Sequence, residues 1–144
     1  MPSTPTLLHG GCHCGSLALA FSTALEPMQT TPRACDCSFC RAHGAAWVSD
    51  PGGHLAIHHR PERLPTYRQG SLTAQFVVCN DCGVLVAVVF DDGDRRYAAV
   101  NVRCLDARDA FAAPVPASPQ ALSKEQKEAR WRQAWIADVV TAHR

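Results

Sequence analysis

The sequence has no long apolar run, no strong charge of either sign and no nucleotide-binding loop. None of its 144 residues lies in a stretch approaching the roughly 20 apolar residues that a membrane-spanning helix needs. The net charge of +1 gives no electrostatic case for nucleic acid or an anionic membrane as a partner. Paired carboxylates, a Ser-His-Asp set, a P-loop, a glycine-rich dinucleotide loop and internal repeats are all missing. We therefore expect neither a membrane protein nor a nucleic-acid or nucleotide-binding protein.

An export signal is also missing from the beginning of the chain. Residues 1–9 lack the basic and long apolar regions of a signal peptide, and we expect residues 1–10 to form a short flexible lead-in. The sequence therefore predicts a cytoplasmic protein, in which thiols stay reduced. The length predicts one domain, with residues 8–112 forming its zinc-binding body and residues 113–144 a linker and a C-terminal helix packed on it.

Eight cysteines are present, which is more than packing alone requires. Pairs spaced C-x-C are poor disulfide partners, and the predicted compartment is reducing. Metal binding is the better interpretation of this cysteine usage.

One predicted metal site uses four thiols from two distant knuckles. Cys12 and Cys14 lie between glycines, and Cys79 and Cys82 form a C-x-x-C-G knuckle between two predicted strands. Four thiolates satisfy tetrahedral zinc completely, so we predict a structural zinc that joins the two knuckles.

A second predicted site has only three thiols within its own motif, namely Cys35, Cys37 and Cys40. A three-ligand zinc with one open position is the arrangement of catalytic and ligand-binding sites. His43, Cys104 or another residue would make the site structural if it supplied a fourth ligand, and the spacing leaves both interpretations open. Otherwise we expect Cys104 to be a buried free thiol. We expect Asp36 to be exposed and able to polarise a ligand at this metal.

The secondary structure is predicted to be mostly β, with a helical tail. Alternating or β-branched runs predict strands over 16–21, 45–48, 55–57, 66–68, 73–78, 84–90 and 97–102. Residues 112–119 are predicted to be a proline-rich break. Ser123 and Gln126 fit a capping box. Trp131, Trp135 and Val139 then fall on one face of an amphipathic helix, with Ile136 and Val140 beside them, and Glu128 can pair with Arg132.

The cysteine motifs resemble those of the glutathione-dependent formaldehyde-activating enzyme (GFA) family, whose domain is shared with centromere protein V. The resemblance is carried by Gly11–Gly15, by Cys35–Arg41 with Gly44, by Val78–Gly83, and by Asn101-Val102 with Leu105-Asp106. It spans about residues 8–110 and includes seven cysteines in the family's order and spacing. The family often has His at the position of Asp36.

The resemblance implies a mainly β fold, a β-tent of small antiparallel sheets with zinc knuckles. It implies a structural zinc at Cys12, Cys14, Cys79 and Cys82 and a functional zinc at Cys35, Cys37 and Cys40. It also implies carbon–sulfur lyase activity that joins formaldehyde to glutathione as S-hydroxymethylglutathione. A thiolate is the nucleophile toward a carbonyl, and an open zinc would favour that form of a substrate thiol.

Three functional hypotheses follow from the sequence. The first is a zinc enzyme of the carbon–sulfur lyase type, acting on a small glutathione-like thiol and an aldehyde such as formaldehyde. The second is a non-catalytic, zinc-stabilised binding module, and the third is a glutathione carrier without turnover. Arg41 and Arg68 are candidates to meet a peptide carboxylate, although both also fit a solvated surface role. Whether the chain forms a homodimer is left open.

Overall fold

The computed structural model describes residues 4–144, which fold mainly into β-strands arranged in two sheets. In chain order the strands are β1 Thr6–Gly11, β2 Leu17–Thr23, β3 Arg33–Cys35, β4 Trp47–Val48, β5 His54–His59, β6 Thr66–Tyr67, β7 Ala74–Val78, β8 Leu85–Asp92, β9 Arg95–Asn101, β10 Val115–Ala117 and β11 Asp138–His143. The α-helices are α1 Ser38–His43 and α2 Lys124–Ala134. The mainly β fold class predicted from the sequence is confirmed. None of the helices in the described part of the chain is both long enough and apolar enough to cross a bilayer.

The smaller sheet has the strand order β1-β2-β5-β11. β1, β2 and β5 are antiparallel neighbours, whereas β11 lies parallel to β5 at the edge. Leu17, Leu19 and Phe21 of β2 are buried, as their alternation predicts. The predicted flexible lead-in is wrong for residues 6–10, because β1 pairs along its whole length with β2. Residues 1–3 of that prediction lie outside the described part of the chain.

The larger sheet has the order β10-β3-β4-β9-β8-β7-β6 and carries the core on both faces of β8. Residues 85–90 of β8 are all buried. Val86 and Val89 pack into the core shared with the smaller sheet, whereas Val88 and Phe90 pack into a second core with Trp47 and Trp135. This second core lies under α1 and α2, next to the three-thiol motif.

The C-terminal helix begins as predicted but is shorter. The capping box is present, because Ser123 Oγ accepts from Gln126 N at 3.1 Å and the Gln126 side chain accepts from Ser123 N. The expectation that Val139 and Val140 belong to the helix is wrong, since both lie in β11. Ile136 interrupts the helical path by forming two backbone hydrogen bonds with Ala98 of β9.

The region predicted as a proline-rich break contains a strand. Residues 115–117 form β10, which pairs in parallel with β3 at the edge of the larger sheet. The tail therefore adds one edge strand to each sheet, β10 and β11. Both pair in parallel with their neighbours, so the sheets are not purely antiparallel as the family resemblance implied.

Candidate metal centres and the cavity beside them

Four cysteine sulfurs from two sheets meet at one point. Cys12 and Cys14 lie in the turn between β1 and β2, and Cys79 and Cys82 lie in the turn between β7 and β8. All four sulfurs lie within 4.8 Å of one another, with Cys14 Sγ 3.7 Å from Cys12 Sγ and 3.5 Å from Cys79 Sγ. A tetrahedral zinc with Zn–S bonds of about 2.3 Å holds its sulfurs about 3.8 Å apart. The structure therefore brings the four predicted residues together in an arrangement that is consistent with a zinc ion.

Backbone amides converge on the sulfurs of the four-thiol cluster. Leu17 N donates to Cys12 Sγ at 3.2 Å, and Asp81 N and Cys82 N donate to Cys79 Sγ at 3.4 and 3.5 Å. Gly83 closes the second knuckle with a φ of 78°, a conformation that a residue with a Cβ avoids. Amide donation stabilises the thiolate form, which is the form that binds a metal.

The protonation states at the four-thiol cluster are also perturbed. Hydrogen bonding with the Ser16 side chain lowers the pKa of Cys14 to about 6. Burial raises the pKa of Cys79 to about 11, because removing water disfavours the charged thiolate. Four close thiols without a cation cannot all ionise, and a divalent metal would supply the missing positive charge.

The three-thiol motif brings its sulfurs together through the start of a short helix. Cys35 ends β3, Cys37 is the N-cap of α1, and Cys40 lies in the first turn of that helix. Cys37 Sγ accepts a hydrogen bond from Cys40 N at 3.4 Å, as a capping side chain does. The three sulfurs lie within 4.8 Å of one another. The structure therefore brings Cys35, Cys37 and Cys40 together in a group that could hold a metal ion.

The pKa values of Cys35 and Cys40 are shifted in opposite directions. Hydrogen bonding from the Cys40 thiol lowers the pKa of Cys35 to about 6, and the same contact raises the pKa of Cys40 above its ordinary value. Cys40 is only 1% exposed, and its burial acts in the same direction. As in the four-thiol cluster, a metal ion would neutralise the thiolates of such crowded and partly buried cysteines.

No fourth Cys, His, Asp or Glu within residues 4–144 joins the three-thiol group. His43 instead lies 4.8 Å from the Phe39 ring, centroid to centroid, at the end of α1. Cys104 also lies outside both metal-ligand groups, with its thiol donating to the Leu85 carbonyl oxygen at 3.2 Å.

Asp36 fixes a neighbouring loop rather than facing solvent. Its Oδ2 accepts from Ser118 Oγ at 2.6 Å, and its Oδ1 is buried without a hydrogen-bond partner. Asp36 is therefore half-buried, and not fully exposed as the sequence suggested. Its backbone N–H also donates to the Ala117 carbonyl oxygen at 2.9 Å. These contacts hold residues 117–118 against the three-thiol motif.

A cavity of about 540 Å³ opens directly beside the three-thiol motif. Cys35, Cys37 and Cys40 are in its wall, whereas none of the four cysteines of the other cluster is. Its apolar wall includes Trp47, Phe76, Val88, Trp131 and Trp135. Gln69 also lines this cavity, and its Nε2 lies 3.9 Å from Cys37 Sγ. Cavities of this size and apolar character are typical of small-molecule sites.

Three cationic side chains line the same cavity, and sequence reasoning missed all of them. They are Arg33 of β3 and Lys127 and Arg130 of α2. Burial lowers the pKa of the Arg33 guanidinium, and the positive charge of Arg130 lowers it further. Arg41 and Arg68, which the sequence suggested for this purpose, are absent from the cavity wall. The i, i+3, i+4, i+7 spacing of residues 127, 130, 131 and 134 marks the cavity-facing side of α2, but only the fold shows that this side faces β3.

The chain is similar to one family of known proteins and to a solved structure. The sequence profile of the family described as "Glutathione-dependent formaldehyde-activating enzyme" matches residues 7–118. A solved structure of a Rhodobacter sphaeroides protein is similar at 27% sequence identity and a TM-score of 0.54, covering 76% of this chain and 99% of that chain. A comparison with curated proteins found no match. Because the family profile covers well over half of the sequence, the chain belongs to the glutathione-dependent formaldehyde-activating enzyme family.

Proposed function

We propose that this protein is a zinc-dependent carbon–sulfur lyase that joins a small glutathione-like thiol to an aldehyde such as formaldehyde. One observation carries the proposal. Within residues 4–144, the three-thiol cluster lines a cavity large enough for a small molecule, and none of the cysteines of the four-thiol cluster lines that cavity. The four-thiol cluster has a full ligand set for zinc and lies away from that cavity. The proposal therefore assigns a structural role to Cys12, Cys14, Cys79 and Cys82, and substrate binding to the metal held by Cys35, Cys37 and Cys40.

The chemistry requires a thiolate, a carbonyl carbon and a proton. A zinc ion held by the three thiols would have room for one further ligand and would favour the thiolate form of a substrate thiol. The substrate thiol gives its proton to water on becoming the thiolate, and the sulfur then forms a bond to the aldehyde carbon. The carbonyl π electrons move to oxygen, and that oxygen takes a proton back from water. The residues that line the cavity include no carboxylate or imidazole within the described chain, so no side chain on its wall is assigned as the acid.

In this proposal, the residues of the cavity wall position the substrate. Trp47, Phe76 and Trp135 form an apolar surface that would exclude water from the carbon–sulfur bond, and the Gln69 amide approaches the Cys37 sulfur. Asp36 and Ser118 hold the adjoining loop in place. Because no carboxylate or imidazole of residues 4–144 lines the wall, a glutathione carrier that binds the thiol without turnover is a second candidate function.

A rate measurement distinguishes these functions. Formation of S-hydroxymethylglutathione from glutathione and formaldehyde would be followed by NMR exchange spectroscopy with zinc-loaded wild type, Cys37→Ser and Cys104→Ser. We expect wild type to accelerate the reaction over the spontaneous rate and Cys37→Ser to lose that acceleration. Cys104→Ser is the matched control, because Cys104 lies outside both metal-ligand groups, and it should retain the wild-type rate.

Thiol binding is measured in parallel by calorimetry. Binding of glutathione without acceleration would support the carrier. Neither binding nor acceleration by the zinc-loaded wild type would contradict both functions. Loss of acceleration in Cys104→Ser as well as in Cys37→Ser would contradict the assignment of the reaction to the three-thiol site.

A further inference from the structure

Within residues 4–144, two cations on the cavity side of α2 have no acidic partner, whereas Arg132 on its outward side has two. On the outward side of α2, Arg132 Nε lies 2.7 Å from Asp92 Oδ2, and its Nη2 lies 3.6 Å from Glu128 Oε1. On the cavity side, the Lys127 and Arg130 side chains form no ion pair and no hydrogen bond with any residue in the range 4–144. The chain contains acidic residues that it uses elsewhere to neutralise cations, but none of them lines this cavity.

Arg33 adds a third positive charge from the opposite wall. Its Nη2 donates to Ser49 Oγ at 3.0 Å, and Ser49 Oγ in turn donates to the Ala134 carbonyl oxygen at 2.8 Å. This chain of hydrogen bonds ties the guanidinium to the end of α2 but gives it no negative charge. Like charges converging in a partly enclosed site repel one another, and an anion placed between them would remove that repulsion.

The positions of these charges relative to the three-thiol motif define what the ligand must contain. Arg33 and Cys35 are two residues apart on β3, so their side chains lie on the same face and their Cα atoms are separated by roughly 7 Å. A molecule whose sulfur reached the motif would therefore place groups a few bonds away within reach of the cations. Trp131 and Trp135, stacked at 4.8 Å between ring centroids, cover the apolar space beside them.

We propose that Arg33, Lys127 and Arg130 form an oxyanion subsite that selects thiols carrying a carboxylate or phosphate group away from the sulfur. Two of its three residues belong to α2, outside the region that matches the family profile, so this segment sets ligand choice in this chain. The inference rests on the proposed function only in taking the ligand to be a thiol. Guanidinium groups bind carboxylates and phosphates through paired hydrogen bonds, which suits either source of the oxyanion.

Matched pairs of thiols test the subsite. Glutathione and its diethyl ester differ in two carboxylates, and pantetheine 4′-phosphate and pantetheine differ in one phosphate. Each would be titrated by calorimetry into the zinc-loaded wild type and into the double variant Lys127→Gln/Arg130→Gln. The matched control is Lys124→Gln/Arg63→Gln, which changes the net charge by the same amount at exposed positions outside the cavity.

For at least one pair we expect wild type to bind the charged member about tenfold more tightly than the neutral one, the effect of one charge-assisted hydrogen bond. The Lys127→Gln/Arg130→Gln variant should reduce that ratio to about one, and the control should keep it. The pair that responds identifies the oxyanion as carboxylate or phosphate. Equal affinities within both pairs for wild type, or an equal loss in the control, would overturn the subsite.

A thiol-free probe separates this inference from the proposed function. S-methylglutathione keeps both carboxylates but offers no thiolate to a metal. The proposed function fails if no free thiol binds more tightly than its S-methyl counterpart. The subsite still stands in that case if the affinity of S-methylglutathione falls about tenfold on esterification or in Lys127→Gln/Arg130→Gln. If thiols bind the metal site with no dependence on charge, the subsite fails and the proposed function stands.

Discussion

Gly10 lies where the end of β1 meets the backbone of residues 104–105. A Cβ added at this position would overlap the Cys104 carbonyl oxygen and would lie 2.9 Å from Leu105 Cα. Both neighbours are backbone, and Gly10 forms a bridge with Leu105, so neither can easily move away. We expect Gly10→Ala to lower the free energy of unfolding by about 1–3 kcal/mol, the usual cost of overpacking, as measured by urea denaturation.

The matched control for this substitution is Gly52→Ala. At Gly52 an added Cβ would meet only Asp50 Oδ1 at 3.7 Å, an ordinary contact. Its free energy of unfolding should stay within about 0.5 kcal/mol of wild type. Equal stability of Gly10→Ala and wild type would show that β1 and residues 104–105 separate more easily than their backbone contact indicates.

The sequence alone predicts the positions of some site residues and not of others. The cysteines of each cluster could be assigned because knuckle spacings of two or three residues bring sulfurs together without knowledge of the fold. Asp36 could not, because its partner Ser118 is far away in the sequence. The cavity cations were missed for the same reason, since Arg33 and Arg130 line one cavity only in the folded chain.

The hairpin of β8 and β9 has an ion pair beside its turn, between Asp91 and Arg96, that depends on pH. Arg96 Nε and Nη2 donate to the two carboxylate oxygens of Asp91 at 2.6 and 3.1 Å, and Gln75 Nε2 donates to Oδ2 at 3.1 Å. The hydrogen bonds from Arg96 are the main reason that the pKa of Asp91 is below its usual value. The ionised form of Asp91 is therefore more stable in the folded chain than in the unfolded chain.

The direction of the pH effect follows from this lowered pKa. The stabilisation is present above the unfolded carboxyl pKa of about 4 and is lost as the pH falls through the lower folded value. Because the Asp91 side chain is 42% exposed, we expect a contribution of only about 0.5–1 kcal/mol. Urea denaturation of wild type and Asp91→Asn should show that difference at pH 6 and a smaller one at pH 2.5. A difference independent of pH would contradict the ion-pair explanation.

At the scale of elements, strands bounded by clear turns were predicted well and the C-terminal tail only in part. The strands around Cys79 and Cys82 follow alternation and a tight turn, which are local signals. The tail contains two competing patterns, a helical stripe of Trp131, Trp135 and Val139 and the β-branched run Val139-Val140-Thr141. The fold favours the second pattern from residue 138 onward, because β5 offers a free edge to which β11 adds six residues. Such tertiary pairing is not visible in the sequence.

Across the whole molecule, the two cysteine clusters differ in how many structural elements they connect. The four-thiol cluster joins the β1–β2 turn of the smaller sheet to the β7–β8 turn of the larger one. The three-thiol motif joins only β3 and the adjoining α1 beside the cavity. Removing a ligand from the first cluster should therefore separate the sheets, whereas removing one from the second should leave them together.

We therefore expect Cys79→Ser and Cys37→Ser to behave differently in metal content and stability. Structural zinc contributes on the order of 10 kcal/mol to folding, which is comparable to the whole free energy of unfolding of a typical domain. Cys79→Ser should lose cooperative thermal unfolding. Cys37→Ser should stay folded, with zinc per chain falling from two to one by elemental analysis of protein purified without chelator. Because both variants remove one thiol, the comparison controls for the chemistry of the substitution. One zinc in wild type, or unfolding of Cys37→Ser, would contradict a division into a structural site and a separable substrate site.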